Sequence, residues 1–115
     1  IEFIQLVRKH QRESLLKQFS NWSGHPNGPP ICVHCSAGIG RTGTFCTIDI
    51  CINRLNDSKN INIEDTVQKI RYQRAQSVQT REQYVFCYLA ALEYAQKQKI
   101  FNNQNNLAQI FESLI

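Results

Sequence analysis

Apolar residues recur at three- and four-residue intervals through most of the chain, and that period predicts helices joined by polar breaks. Phe3, Ile4, Val7, Leu15, Leu16 and Phe19 form a first amphipathic pattern, interrupted by the polar stretch Arg8 to Ser14. Residues Ser20 to Pro30 are dense in Ser, Asn, Gly and Pro and read as an exposed loop anchored by Trp22. Ile31-Cys32-Val33-His34 is a short β-prone run that predicts a buried strand. Phe45, Ile48, Ile52 and Leu55, widened by Cys46, Ile50 and Cys51, predict a largely buried helix. After a polar turn at Asn56 to Asn60, Asn62 is placed to cap a helix with Ile63, Val67 and Ile70 inward.

A loop from Gln73 to Gln79 precedes Thr80-Arg81-Glu82-Gln83, a capping-box pattern that opens a helix facing inward through Tyr84, Tyr88, Ala91 or Leu92, and Ala95. Tyr72 is expected, with Tyr84, Tyr88 and Tyr94, in the core or at a half-exposed helix position. Residues 98–115 read as a polar tail, with Leu107, Ile110, Phe111 and Leu114 able to make a short helix. The layout is mostly helical, with one predicted strand. A lone buried strand leaves its backbone donors and acceptors unpaired, so residues 1–97 are expected to be part of a larger α/β domain.

The net charge of +4 is mild, and the basic residues form no run that tracks a nucleic acid backbone, so no nucleic acid partner is expected. No window has the length and apolarity of a membrane helix, and the N-terminal residues show no signal-peptide pattern. Five cysteines, an odd number, with Cys46, Cys51 and Cys87 inside apolar patterns, suit a reducing, cytoplasmic setting.

The chemistry is concentrated in His34-Cys35-Ser36-Ala37-Gly38-Ile39-Gly40-Arg41-Thr42. A strand, a loop of small and glycine residues and a helix make a phosphate site, because successive N–H groups of Ser36, Ala37, Gly38, Ile39, Gly40 and Arg41 can converge on an anion at a positive helix end. Five residues separate Cys35 from Arg41. That spacing lets the loop curl so that Sγ lies beneath phosphorus while the guanidinium bonds two oxygens. The same donors favour the thiolate, which makes Cys35 a nucleophile. Thr42 is placed to donate to Sγ, and His34 to fix the loop from behind. Charge is stabilised by Arg41 and the amides, so neither metal nor cofactor is called for. Cys32 and Cys35 also spell C-x-x-C, but no second Cys or His pair supplies ligand spacing, and Cys32 is read as buried filler.

The run Val33 to Phe45 resembles the signature of the tyrosine-specific protein tyrosine phosphatases, and Gln73 to Tyr84 resembles their glutamine loop. The resemblance covers nearly all of residues 1–97, and Gly43 to Cys51 is similar to the cytosolic megakaryocyte-type branch and to polydnavirus tyrosine phosphatases. It implies a twisted mixed sheet flanked by helices, with this chain as the C-terminal part of the catalytic domain. It also implies that Gln79 places the hydrolytic water with Gln83 assisting, that Arg71 braces the phosphate loop, and that phosphotyrosine-containing proteins are the substrates.

Two departures from the pattern matter. The family's Trp-Pro-Asp loop, whose Asp protonates the leaving tyrosine, and its phosphotyrosine-recognition loop are not found, and no Asp precedes Cys35. Losing a general acid costs a factor of about 10² to 10⁴, so poor turnover by the chain alone is expected. Gln76 stands where many relatives have Gly, and narrowing of the site entrance is expected there. The expected function is phosphotyrosine hydrolysis through a phosphocysteine; the alternatives are a phosphotyrosine-binding pseudophosphatase and an inactive fragment.

Overall fold

A computed structural model of the chain describes residues 1–100. These fall into two compact units, one of Ile1–Val33 and one beginning at His34.

In the first unit, helix α1 spans Glu2–Gln18. Its stripe is weakly buried: Ile4 is enclosed, while Phe3, Leu6 and Leu16 are exposed. The loop that follows folds on itself. The Trp22 indole donates to the His25 carbonyl at 2.8 Å, and its ring lies so close to Gly24 that a Cβ there would meet it at 2.4 Å. Gln11 then donates to the Pro29 carbonyl at 3.0 Å, fastening the loop to α1. Trp22 anchors this loop as the sequence implies.

The strand expected over Ile31–His34 does not form, and among the described residues there is no strand. A strand is held by backbone hydrogen bonds to a neighbour, and no described segment offers them. Ile31 and Cys32 are consequently exposed, so Cys32 is not the buried filler expected of it.

The second unit is built around helix α2, Gly40–Ser58, which packs against both helix α3, Ile63–Gln73, and helix α4, Arg81–Lys97. Ile48, Cys51, Ile52 and Leu55 are buried on α2, Ile63 and Val67 on α3, and Cys87, Ala90, Ala91, Leu92, Tyr94 and Ala95 on α4. Small residues on α4 let it approach α2 closely. Burial raises the thiol pKa of Cys51 to about 11 and of Cys87 to about 12, so both behave as inert hydrophobes.

Helix starts follow the predicted caps. Asn62 accepts from the Asp65 N–H at 2.9 Å, and Thr80 and Gln83 form the reciprocal capping box. Lys59, in the left-handed region at φ 57°, ends α2. Tyr84 and Tyr88 are half-buried with their hydroxyls 3.0 Å apart, and Tyr94 donates to Asn56 at 2.6 Å. Tyr72 departs from the reading of a core or half-exposed tyrosine: it is 95% exposed. Of the tail, residues 101–115, including the expected short helix from Leu107 to Leu114, lie outside the described residues.

Candidate active site

The loop from Cys35 enters α2 at Gly40 without a side-chain cap. The first N–H groups of a helix have no partner within the helix, so this uncapped end faces the loop with donors. Cys35, half-buried, has its pKa lowered to about 6. The Thr42 hydroxyl is the largest cause, followed by the Thr42 N–H; partial desolvation opposes them, and the N–H groups of Gly38 and Ile39 add to the lowering. At neutral pH the group is mainly thiolate.

Thr42 Oγ1 is buried and makes no hydrogen bond of ordinary geometry among the described residues, while its hydroxyl is the group that most favours the Cys35 thiolate. An orphaned buried hydroxyl is costly, and a thiolate beside it relieves that cost. Arg41 is exposed, and its guanidinium has no protein partner among the described residues. An unengaged planar fork one step into α2 suits an incoming oxyanion. Ser36 and Ala37 are exposed and Gly38 and Ile39 half-buried, so the loop rim is open to solvent.

The glycines are fixed by their neighbours. Gly38 sits at φ +71°, in the left-handed region, and a Cβ there would meet Arg74 at 3.0 Å. At Gly40 a Cβ would lie 2.9 Å from Gln83 Nε2 and 3.1 Å from Gln79 Oε1. Gln79 and Gln83 therefore both reach the start of α2. Gln83 Oε1 also accepts the Gln79 and Thr80 N–H groups at 2.9 and 3.1 Å, which fixes its own orientation and the backbone of Gln79.

Arginine placement differs from the sequence expectation. Arg71 is not shown hydrogen-bonded to the phosphate loop among the described residues; it donates to the Ser77 carbonyl at 2.8 Å and the Val78 carbonyl at 2.7 Å. Its influence arrives at one remove, because the Val78 N–H donates to Ile39 O at 3.0 Å. The residue that grips the loop is Arg74, donating to Gly38 O at 2.8 Å and Ala37 O at 3.2 Å. These bonds hold the Gly38 and Ala37 carbonyls, while the N–H groups of Gly38 and Ile39 serve Cys35. Nothing local in the sequence indicates this contact of Arg74 with residues so far upstream.

Val78 is a second residue that sequence reasoning missed. It is buried with φ 60°, a left-handed conformation that costs a β-branched residue roughly 1–3 kcal/mol. The surroundings hold it there: Arg71 grips its carbonyl, Ile39 accepts its N–H, and α2 presses on it at Gly43, where a Cβ would lie 2.6 Å from Val78 N. His34, by contrast, is exposed, and its ring has no partner among the described residues, so it does not brace the loop as expected. A groove of about 430 Å³ between α3 and the start of α4 borders Arg71 and Gln79 but not Cys35 or Arg41.

The family model described as protein-tyrosine phosphatase matches residues 1–93. The chain belongs to the protein-tyrosine phosphatase family. It is 46% identical over 110 residues to human tyrosine-protein phosphatase non-receptor type 9, covering 96% of this chain and 18% of that protein. With tyrosine phosphatase H3 of Microplitis demolitor bracovirus it shares 46% identity over 96 residues, 82% of this chain and 28% of the viral protein. Against human receptor-type tyrosine-protein phosphatase alpha the identity is 40% over 94 residues, 82% of this chain and 10% of the receptor. The chain thus spans less than a third of the length of these relatives. The first two likenesses agree with the branch read from Gly43 to Cys51 of this protein-tyrosine phosphatase sequence. Among the described residues no helix is long and apolar enough to cross a membrane.

Proposed function

We propose that the protein containing this chain is a protein tyrosine phosphatase that hydrolyses phosphotyrosine in proteins through a phosphocysteine, with residues 1–97 as the C-terminal part of its catalytic domain. The observation that carries this reading is the ionised Cys35, its pKa brought to about 6 by donors of its own loop and of Thr42. The Cys35 thiolate attacks phosphorus, the bond to the tyrosine oxygen breaks, and the phenol leaves. Arg41 and the loop amides hold the phosphoryl oxygens through this step. Water positioned by Gln79, whose backbone Gln83 fixes, then attacks the phosphocysteine and releases phosphate. Thr42 donates to Sγ as the thiolate departs. No residue of this chain is assigned delivery of the proton to the phenol.

The twisted mixed sheet belongs to the same proposal. Val85, Phe86 and Leu89 on α4 are exposed apolar side chains of the kind a covering layer buries, which supports a sheet and further elements contributed by the rest of the protein. A cytoplasmic location is inferred from the names of the non-receptor relatives and from the reduced cysteines, all five of which are free.

The test is hydrolysis of a phosphotyrosyl peptide by the protein and its Cys35→Ser variant, with circular dichroism confirming that both fold. A loss of at least about 10³-fold in kcat is expected from removal of the nucleophile. Equal rates in the two proteins refute the mechanism, and tight peptide binding with no turnover in either points instead to a phosphotyrosine-binding pseudophosphatase.

A further inference from the structure

Two peptide groups flank the Cα of Val78, and both ends of each are bonded. In the peptide before it, the Ser77 carbonyl accepts from Arg71 Nε at 2.8 Å and the Val78 N–H donates to Ile39 O at 3.0 Å. In the peptide after it, the Val78 carbonyl accepts from Arg71 Nη2 at 2.7 Å and the Gln79 N–H donates to Gln83 Oε1 at 2.9 Å. One guanidinium thus spans both peptides. Two planes fixed in this way dictate the φ of the residue between them, and the value they impose is 60°, on a valine that is 1% exposed. A branched Cβ crowds the neighbouring carbonyl in that region and is relieved at negative φ, a relaxation these bonds deny to Val78.

The strained turn carries Gln79. Its Oε1 reaches the start of α2, where a Cβ on Gly40 would lie 3.1 Å from it, so the adjacent pair Val78 and Gln79 meets the adjacent pair Ile39 and Gly40. The φ of Val78 is the torsion between its N–H, on Ile39, and all that follows, Gln79 included. Turning it back to the negative range with the N–H kept on Ile39 takes the Val78 carbonyl off Arg71 and carries Gln79 away from Gly40. Ile39 stays in place, because its carbonyl also accepts the Gly43 N–H at 3.1 Å as the first bond of α2. The Thr42 hydroxyl and N–H, the largest supports of the Cys35 thiolate, lie outside the turn.

We propose that Val78 is a positioning residue for the second half of the reaction: Arg71 holds it in its strained conformation, and that conformation aims Gln79 at the phosphate loop. The proposal deepens the phosphatase reading and rests on it, since it is there that Gln79 places the water that attacks the phosphocysteine. Val78 touches neither substrate nor water and acts through Gln79 alone. Attack of the Cys35 thiolate on phosphotyrosine does not use Gln79, so the strained turn governs breakdown of the phosphocysteine and not its formation. Strain of this kind persists only where the surroundings over-determine it, and here four backbone bonds do so.

The test is rapid-quench kinetics of the full-length protein with a phosphotyrosyl peptide, reading formation and breakdown of the phosphocysteine separately. Arg71→Ala is expected to slow breakdown about tenfold, as a small misplacement of a positioning group does, with formation little changed. Adding Val78→Gly to Arg71→Ala is expected to return breakdown to within about threefold of the wild type, because glycine takes a φ near +60° without being held there. Lost packing does not produce this pattern: it lowers the amount of folded protein, slows both steps alike, and is made worse by a second deletion in the core. Where circular dichroism shows Arg71→Ala unfolded, Arg71→Lys takes its place in both proteins, a point charge that cannot bond two carbonyls as a fork. Unchanged breakdown, equal slowing of both steps, or no recovery with Val78→Gly overturns the proposal, and phosphocysteine in the wild type then leaves the phosphatase reading standing. Absence of phosphocysteine from the wild type overturns both.

Discussion

Replacing Arg74 by alanine removes the two bonds that set the carbonyl side of the phosphate loop, at 2.8 Å to Gly38 and 3.2 Å to Ala37. A hydrogen bond from a charged group is worth about 1.5–3 kcal/mol, and because Arg74 is solvent-exposed and one bond is long, about 1.5 kcal/mol is the expected loss of preference for the loop conformation. That corresponds to about a tenfold fall in the ordered loop's advantage over its alternatives. The thiolate depends in part on the Gly38 and Ile39 N–H groups, so the loss carries over to Cys35. A change of 1.36 kcal/mol moves a titration midpoint by about one pH unit. The assay is the pH dependence of Cys35 alkylation by iodoacetamide, which reads the thiolate without requiring turnover. In the wild-type chain the midpoint is expected at about 6. Arg74→Ala is expected to raise it by less than about one pH unit, because the Thr42 hydroxyl and N–H, the largest causes of the lowering, stay in place. Arg74→Lys, a point charge unable to bond both carbonyls as a fork, is expected to fall between. A midpoint unchanged in Arg74→Ala, with the chain still folded, refutes the claim that Arg74 shapes the loop.

Three further outcomes follow from the same geometry. The pKa of Cys35 is lowered from 9.0 to about 6, so its contribution to stability is complete above pH 9, shrinks through the window between, and is lost as pH falls through about 6; urea midpoints of the wild type relative to Cys35→Ser are expected to rise across that window. Gly43→Ala places a Cβ 2.6 Å from the Val78 nitrogen, backbone that cannot step aside, and a destabilisation of about 1–3 kcal/mol is expected in denaturant melts. Gln76→Gly relieves a left-handed residue at φ 63° and opens the rim, so a gain of about 1 kcal/mol in stability and a higher kcat/KM toward phosphotyrosyl peptides are expected in the protein; an unchanged Tm would show that Gln76 is not strained.

What was legible in the sequence was local. Thr80 and Gln83 announce the start of α4, and Asn62 that of α3, because a cap is a contract between residues three apart. The Cys35 to Thr42 string likewise carries its own geometry: glycines where φ must be positive or neighbours press close, and a helix end behind them. Contacts made across the fold were not legible. Arg71 and Arg74 look alike in sequence, and which of them grips the phosphate loop depends on how α3 lies on α2, so the role of bracing the loop directly passed from one to the other. Val78 reads as an ordinary β-former, yet Arg71, Ile39 and Gly43 hold it left-handed. Ile31 to His34 has strand composition, but pairing is a property of two segments, and one of them cannot reveal the other. Tyr72 was misjudged by the habits of tyrosines in general, when its phase on α3 already put it opposite Ile63.

The central claim is a phosphoryl group carried on Cys35, and the measurement that tests it most directly is rapid acid quenching of the protein during turnover of a phosphotyrosyl peptide, followed by mass analysis of the Cys35 peptide. The account predicts phosphate on Cys35 in the wild type, more of it in Gln79→Ala where attacking water is no longer placed, and none in Cys35→Ser. Turnover with no phosphate on Cys35 in the Gln79→Ala protein, or phosphate trapped on another residue, would contradict it.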